Sequence, residues 1–428
     1  MKYLFIVTEI NSANGICTEA VMKALAEQAD NEIFCISNKE YKTPGYKVEC
    51  GIRYYSVKPR LIYRMSSYLS ACHQKGKKAA LVALVMKLIS KAKLAVTIPI
   101  WPWISPLYTY RIYKLAKKLC MENEIQCIVP VYTQIDTLIA ASILKKKNSR
   151  ISYVPYFLDS LSGGIGLRVL SAEKTIKKGL KWEERLLCSA DEIIVMESSR
   201  QHHQKFSTDK PYYSRINYFD IPLFCSRNDE EYQDTEYILK PGAVNIVYVG
   251  TLPAGIRSPE YIINVFRKLK GDKWQMWFVG CDDCSVLNKA AQSDDRIHIV
   301  GRCSHKKALM YEAGADILLN IGNTNSNMTP SKIFEYMSFA KPIISTCAIK
   351  GDSAERYLKK YPAALLLDET SADFAAEAEK TEKFIDKAKY IKFDYDELKK
   401  IYYHNTPQAV VDLLGKLNDE KNNESCSD

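Results

Sequence analysis

Along the chain, short apolar runs alternate with longer stretches whose apolar residues recur at helical spacing. Residues 2–8, 32–37, 126–131, 151–157 and 191–196 read as buried strands in the first half, and 244–249, 274–280, 296–301, 315–320 and 343–346 in the second. Between them, 18–29, 181–189, 306–313 and 331–340 read as helices, the first with Ala20, Val21, Ala24 and Leu25 on its apolar side. Strands alternating with helices predict an α/β protein built on parallel sheets. The pattern breaks near 220–223, and 226–235 is acidic and polar, so a linker is expected there with one Rossmann-like domain on either side. The expected division is 1–225 and 226–405, then an amphipathic helix at 406–418 and a polar, disordered tail at 419–428.

The stretch with the clearest chemistry is NTNSNMTPSKIFEYMSFAKPIIST, residues 323–346. It leaves the strand at 315–320 as a polar loop. Thr329 suits an N-cap and Pro330 the first helical position, so a helix opens out of the loop and Pro342 stops it. In such a βαβ unit, ligands gather at the carboxyl ends of the strands, and the free N–H groups of the helix start suit a diphosphate. Lys332, Glu335 and Ser338 make a polar stripe, with Ile333, Phe334 and Met337 on the buried side. On the residues alone, the stripe is either a binding face or a solvated surface with a weak Lys332–Glu335 pair.

PSKIFEYMSFAKPII resembles the donor-site segment of retaining glycosyltransferases of family 4, and the order of strands is similar across most of the chain. The resemblance implies the GT-B fold: two Rossmann-like domains facing across a cleft, with a C-terminal helix crossing back to the N-terminal domain. It also implies that Glu335 binds the ribose hydroxyls of a nucleotide sugar, with Thr329, Ser331 and Lys332 beside it on the donor. Gly15 corresponds to the glycine that faces the donor phosphates after the first strand, and Asn14-Gly15 allows positive φ and close backbone approach. Gly250 and Thr251 stand where relatives have Gly-Arg. Arg257 lies one place beyond the family's lysine, and its guanidinium is the candidate diphosphate clamp. Arg302, in Val300-Gly301-Arg302-Cys303, matches the turn that touches the nucleotide base.

Two catalytic positions depart from the family pattern. Asn327 stands where relatives have a glutamate on the transferred sugar; it offers a hydrogen bond but no negative charge beside a developing oxocarbenium ion. Leu158 replaces the histidine that precedes Asp159 in many relatives, leaving Asp159 either to orient an acceptor hydroxyl or to cap a helix.

Composition changes the setting more than the fold. With 428 residues, 47% hydrophobic, the chain has room for two domains. A net charge of +10 favours anionic partners without choosing among nucleotide diphosphates, lipid headgroups and nucleic acid. With the resemblance, the expected partners are a nucleotide sugar, a glycan or lipid-linked acceptor and a membrane surface, and not nucleic acid. Thirteen cysteines without a repeating framework, and too short an apolar run before Glu9 for a signal peptide, predict reduced thiols in a cytoplasm. Cys281-Asp282-Asp283-Cys284 has the spacing of a metal or redox pair but no second pair or nearby histidine, and reads as a turn. No metal or cofactor is expected, because no Asp-x-Asp lies near a suitable strand end and no Gly-x-Gly-x-x-Gly follows the first strand.

Residues 75–111 set lysines among apolar and aromatic residues. Lys87, Lys91 and Lys93 interrupt the run and Pro99, Pro102 and Pro106 break its uncharged part, so an interfacial segment is expected rather than a membrane span. Trp101 and Trp103 would settle at the acyl boundary, and each lysine near anionic headgroups would contribute about 1 kcal/mol. The competing reading is core helices with lysines turned to water. The whole predicts a retaining, metal-independent hexosyltransferase, peripheral on the inner face of the cell membrane. It would use a nucleotide diphosphate sugar, with UDP expected, to build capsule, exopolysaccharide or lipopolysaccharide. The rivals are a degenerate relative that binds glycan or a partner transferase without turnover, and a sugar-nucleotide epimerase.

Overall fold

The computed structural model describes residues 1–10, 12–38, 45–71, 76–164, 170–225, 239–281, 284–324, 329–388, 390–391 and 393–425, with the backbone alone at 70–71, 90–100 and 418–425. The chain divides into two compact units, Met1–Pro222 with Pro407–Asp428, and Leu223–Thr406.

In the first unit the strands are β1 (Lys2–Ile6), β2 (Glu32–Ser37), β3 (Tyr46–Glu49), β4 (Ile52–Ser56), β5 (Cys127–Pro130) and β6 (Ser152–Tyr153). They form one sheet in the order β3-β4-β2-β1-β5-β6. All neighbours are parallel except β3 and β4, joined through Cys50 and Gly51, both at positive φ as a tight hairpin turn requires. The central strand is buried at Leu4, Phe5 and Ile6, because helices cover both faces of a parallel sheet. A second sheet contains β7 (Tyr156–Phe157), β8 (Ile193–Met196) and β9 (Ile216–Phe219). The single strand expected at 151–157 is thus two short ones in different sheets. Val154 N–H bonds Ile128 on one side and the Pro155 carbonyl accepts from Ile194 on the other, while Pro155 has no N–H to continue the first ladder.

Residues 75–111 contain the helix Lys77–Ile100, which packs on the helix Leu61–Ala71, and the start of the helix Pro106–Asn123. Among the described residues no helix is long and apolar enough to cross a membrane. The last helix, Pro407–Ser425, packs on the helix Ala13–Ala26 of the same unit and buries Val410, Val411 and Leu414. It runs beyond 418, through part of the stretch expected to be disordered, as a continuous helix to Ser425.

The second unit has β10 (Val244–Val249), β11 (Trp274–Val279), β12 (Ile297–Val300), β13 (Ile317–Asn320), β14 (Ile343–Cys347) and β15 (Ala364–Asp368), all parallel, in the order β12-β11-β10-β13-β14-β15. Three strands wind outward from β10 one way and three the other way from β13. The strand order therefore reverses between β10 and β13, where an open α/β sheet leaves its ligand crevice. The division between units falls at Leu223, before the expected linker, and 226–238 lies outside the described residues. Leu223 to Cys225 already belong to the second unit: Cys225 N–H donates to Ser338 Oγ, and Ser338 Oγ donates to the Leu223 and Phe334 carbonyls.

Candidate functional site

The crevice of the second unit is shaped first by glycines. Gly250 follows β10 with φ +151, and a Cβ on Gly322, just past β13, would lie 2.6 Å from the Thr346 carbonyl oxygen and 2.9 Å from the Asp352 carboxylate. The two loops are then stitched together. Arg257 Nε donates to Asn323 Oδ1 at 2.7 Å, Thr324 N–H donates to the Ile256 carbonyl, and Thr324 Oγ1 donates to the Gly255 carbonyl. Asn323 N–H is held in turn by the buried Asp352 carboxylate, whose pKa burial pushes up. Arg257 is half-buried beside Tyr248, and the Tyr248 hydroxyl donates to the carbonyl of Thr251. Of the expected donor residues, Gly250, Thr251 and Arg257 are therefore brought to one place, the switch point of the sheet. Asn327 lies outside the described residues.

Glu335 sits on the helix Lys332–Ser338, two turns long rather than the expected 331–340. Its cap is Ser331, not Thr329, and the cap makes no side-chain hydrogen bond, so the helix begins later than the Thr-Pro signal indicates. The polar stripe is not solvated: Glu335 is 2% exposed and Ser338 3%. Glu335 Oε2 accepts from Lys332 Nζ at 3.0 Å and lies 3.2 Å from His305 Nε2. Lys332 Nζ also reaches Glu312 Oε1 at 2.9 Å, on the helix His305–Gly314. Burial works against the lysine's charge, but Glu312 and Glu335 together outweigh it and raise its pKa. Two carboxylates around one lysine make a cluster that suits hydroxyl donors and not a phosphate. The next residue, Tyr336, ties this helix to the β10 loop: its hydroxyl accepts from Val249 N–H at 2.9 Å and donates to the Val249 carbonyl. Burial pushes that hydroxyl's pKa well above 10, so it stays a donor. Arg302 is exposed in the turn after β12. His305 and Glu312 carry no motif in the sequence, and only the packing of two helices reveals them.

In the first unit the ends of β1, β5 and β7 converge. Thr8 and Thr133 hydroxyls meet at 2.6 Å, and Gln134 Nε2 donates to Glu9 Oε1 at 2.9 Å. Asn14 Nδ2 donates to Asp159 Oδ2 at 2.6 Å, which joins the exposed carboxylate to the first turn of the helix that holds Gly15. Gly15 does not use positive φ. It lies inside the helix Ala13–Ala26, where a Cβ would come within 2.2 Å of the Ile10 carbonyl oxygen, so its use is close approach. Its N–H is capped by Ser12 Oγ. The loop after Asp159 is anchored behind: Ser162 N–H donates to the buried Glu183, and Ser162 Oγ meets His202 Nε2 at 2.8 Å. Ser162 is wholly buried. Cys281 is also buried, and 282–283 of the Cys-x-x-Cys lie outside the described residues.

Residues 243–383 match the family model described as Glycosyl transferases group 1. No curated protein matches the chain by sequence. Among solved structures, sucrose-phosphate synthase from Thermosynechococcus elongatus is 13% identical over 98% of each chain, with a TM-score of 0.64. A glycosyltransferase from Rickettsia africae is 13% identical over 98% of each chain, with a TM-score of 0.61. HepE from Anabaena, solved in complex with UDP, is 12% identical over 100% of each chain, with a TM-score of 0.53. At such identities these structures speak for fold alone. The fold is GT-B, and with the matched domain the chain is a glycosyltransferase.

Proposed function

We propose that the chain is a retaining transferase of family 4 that takes a sugar from a nucleotide diphosphate, UDP first, and places it on a hydroxyl of a glycan or lipid-linked acceptor of a cell-surface polysaccharide. The observation that carries this reading is the buried Glu335, held by Lys332 and His305 within the matched domain. A fixed carboxylate accepts the paired hydroxyls of a ribose in charge-assisted hydrogen bonds. Arg257, fixed by Asn323 at the switch point, supplies the positive charge that the diphosphate needs as it leaves. UDP is the first nucleotide to test because HepE, which shares the fold, holds it.

In this mechanism the acceptor oxygen bonds to the anomeric carbon on the face from which the diphosphate departs. The carbon–oxygen bond to the phosphate breaks with its electron pair on the phosphate oxygen, which takes the acceptor's proton. The protein positions the partners and balances charge without a metal. Asp159 orients the acceptor hydroxyl and Arg302 borders the base. Contact with an anionic membrane through 75–111 belongs to the same proposal. It is supported by Leu81, Leu84 and Leu88, exposed on one helix beside Lys77, Lys78 and Lys87.

The test is UDP release from a panel of UDP-sugars, with membrane lipid extract as acceptor. Acceptor-dependent release supports the transferase. A chain that binds UDP through Glu335 yet releases none from any sugar donor would favour the degenerate binder.

A further inference from the structure

A cavity of about 690 Å³ opens in the first unit, within the range of about 300–1,000 Å³ typical of small-molecule sites. Its lining has two characters. Glu9 and Gln134 come from the ends of β1 and β5, the switch point of that sheet, and are bonded to each other. Arg60 stands beside them, paired with the wholly buried Asp136, which also accepts from Ser105 N–H and Thr109 Oγ1. The rest of the wall is mainly apolar: Leu61, Ile62 and Tyr63 from one helix, Ile89 from the next, and Trp103, with Ser66 and Ser105 as its two small polar positions. Those two helices pack together, and beside Ile89 the second exposes Leu81, Leu84, Val85 and Leu88, which at spacings of three and four share one face. A site for a free sugar would have no use for such a wall, and a site for a bare hydrocarbon would not present a carboxylate and an amide at its strand ends.

We propose that this cavity binds an amphipathic acceptor. Its hydroxyl-bearing head lies on Glu9 and Gln134, and its hydrocarbon lies along Leu61, Ile62 and Ile89 toward the exposed row. The assignment rests on the transferase reading above and narrows its acceptor from glycan or lipid-linked to lipid-linked. Lys77, Lys78 and Lys87, exposed on the same helix as that row, give the approach a charge complementary to anionic headgroups.

The test uses decyl maltoside below micelle formation as the probe, with maltose and UDP as controls, titrated calorimetrically into the full chain. Decyl maltoside is expected to bind at least tenfold more tightly than maltose. Ser66→Trp, at an exposed lining position that tolerates bulk, and Glu9→Gln should each weaken it by tenfold or more while UDP affinity stays within twofold. Equal affinities for the two glycosides, or an unchanged affinity in Ser66→Trp, would overturn the proposal. So would a loss of binding in Leu84→Lys that Ser66→Trp does not share, since that places the alkyl chain on the outer helix face alone. A chain that binds UDP but no maltoside overturns the cavity assignment only. One that shows the expected maltoside pattern without binding UDP keeps the cavity and sinks the donor reading.

Discussion

Glu335 is the residue at the centre of the motif, and its neighbours are where the sequence misleads. The stripe Lys332, Glu335, Ser338 has the spacing of a solvated helix face, and nothing local says that the helix His305–Gly314 will cover it. Once covered, the carboxylate needs partners, and packing supplies Lys332 and His305. Glu335→Ala should weaken UDP binding by about 1–3 kcal/mol, the scale of a lost charged hydrogen bond, as calorimetry would read directly. Lys332→Met leaves Glu312 and Glu335 facing each other without a cation. A loss of about 2 kcal/mol is expected in urea denaturation, moderated because the lysine side chain keeps 24% exposure. The buried His203 supplies a pH signature in the other unit. Burial pulls its pKa from 6.5 down to about 4, so the native state prefers the neutral ring. Its contribution is present above pH 6.5 and lost as pH falls through about 4, roughly 3 kcal/mol in all. His203→Gln should flatten that part of a stability-versus-pH curve.

Elements were legible where one force dominates. Strands β2 and β10 fall where the apolar runs end, because a strand buried on both faces of a parallel sheet admits little else. The strand at 151–157 was misread because two sheets share it, and Pro155 shows a missing donor but not which sheet each side joins. The helix with Glu335 starts late for a related reason, since a Thr-Pro cap signal competes with a loop already tied at Gly322 to β14. That loop turns on Gly322, whose missing Cβ makes room for Thr346, Ala348 and Asp352. Gly322→Ala should cost about 1–3 kcal/mol by overpacking and weaken UDP binding, because Asn323 and Arg257 move with it. Gly415→Ala makes the opposite case. Its Cβ meets nothing within 4 Å, and the helix Pro407–Ser425 should gain about 0.5–1 kcal/mol, seen as a higher melting temperature.

At the scale of the molecule, the sequence announced two Rossmann-like units, and the break in its pattern near 220–223 contains the observed division; the acidic run that follows it looks like the whole linker, while Leu223 to Cys225 are already claimed by Ser338. The last helix is integral to the first unit. Val410, Val411 and Leu414 are buried in it, together worth about 4.5–9 kcal/mol at the usual value per buried side chain, comparable with the whole stability of a domain. A chain cut after Thr406 should therefore lose cooperative unfolding of the first unit while the second still melts, as two-domain calorimetry would resolve. The same topology reaches back to synthesis. As the nascent chain leaves the ribosome, the unit that begins first must wait for the helix that emerges last, while the unit inserted between them is complete on arrival. Maturation would then run out of sequence order, leaving the apolar flank of Ala13–Ala26 dependent on chaperones until residues 407–425 close over it.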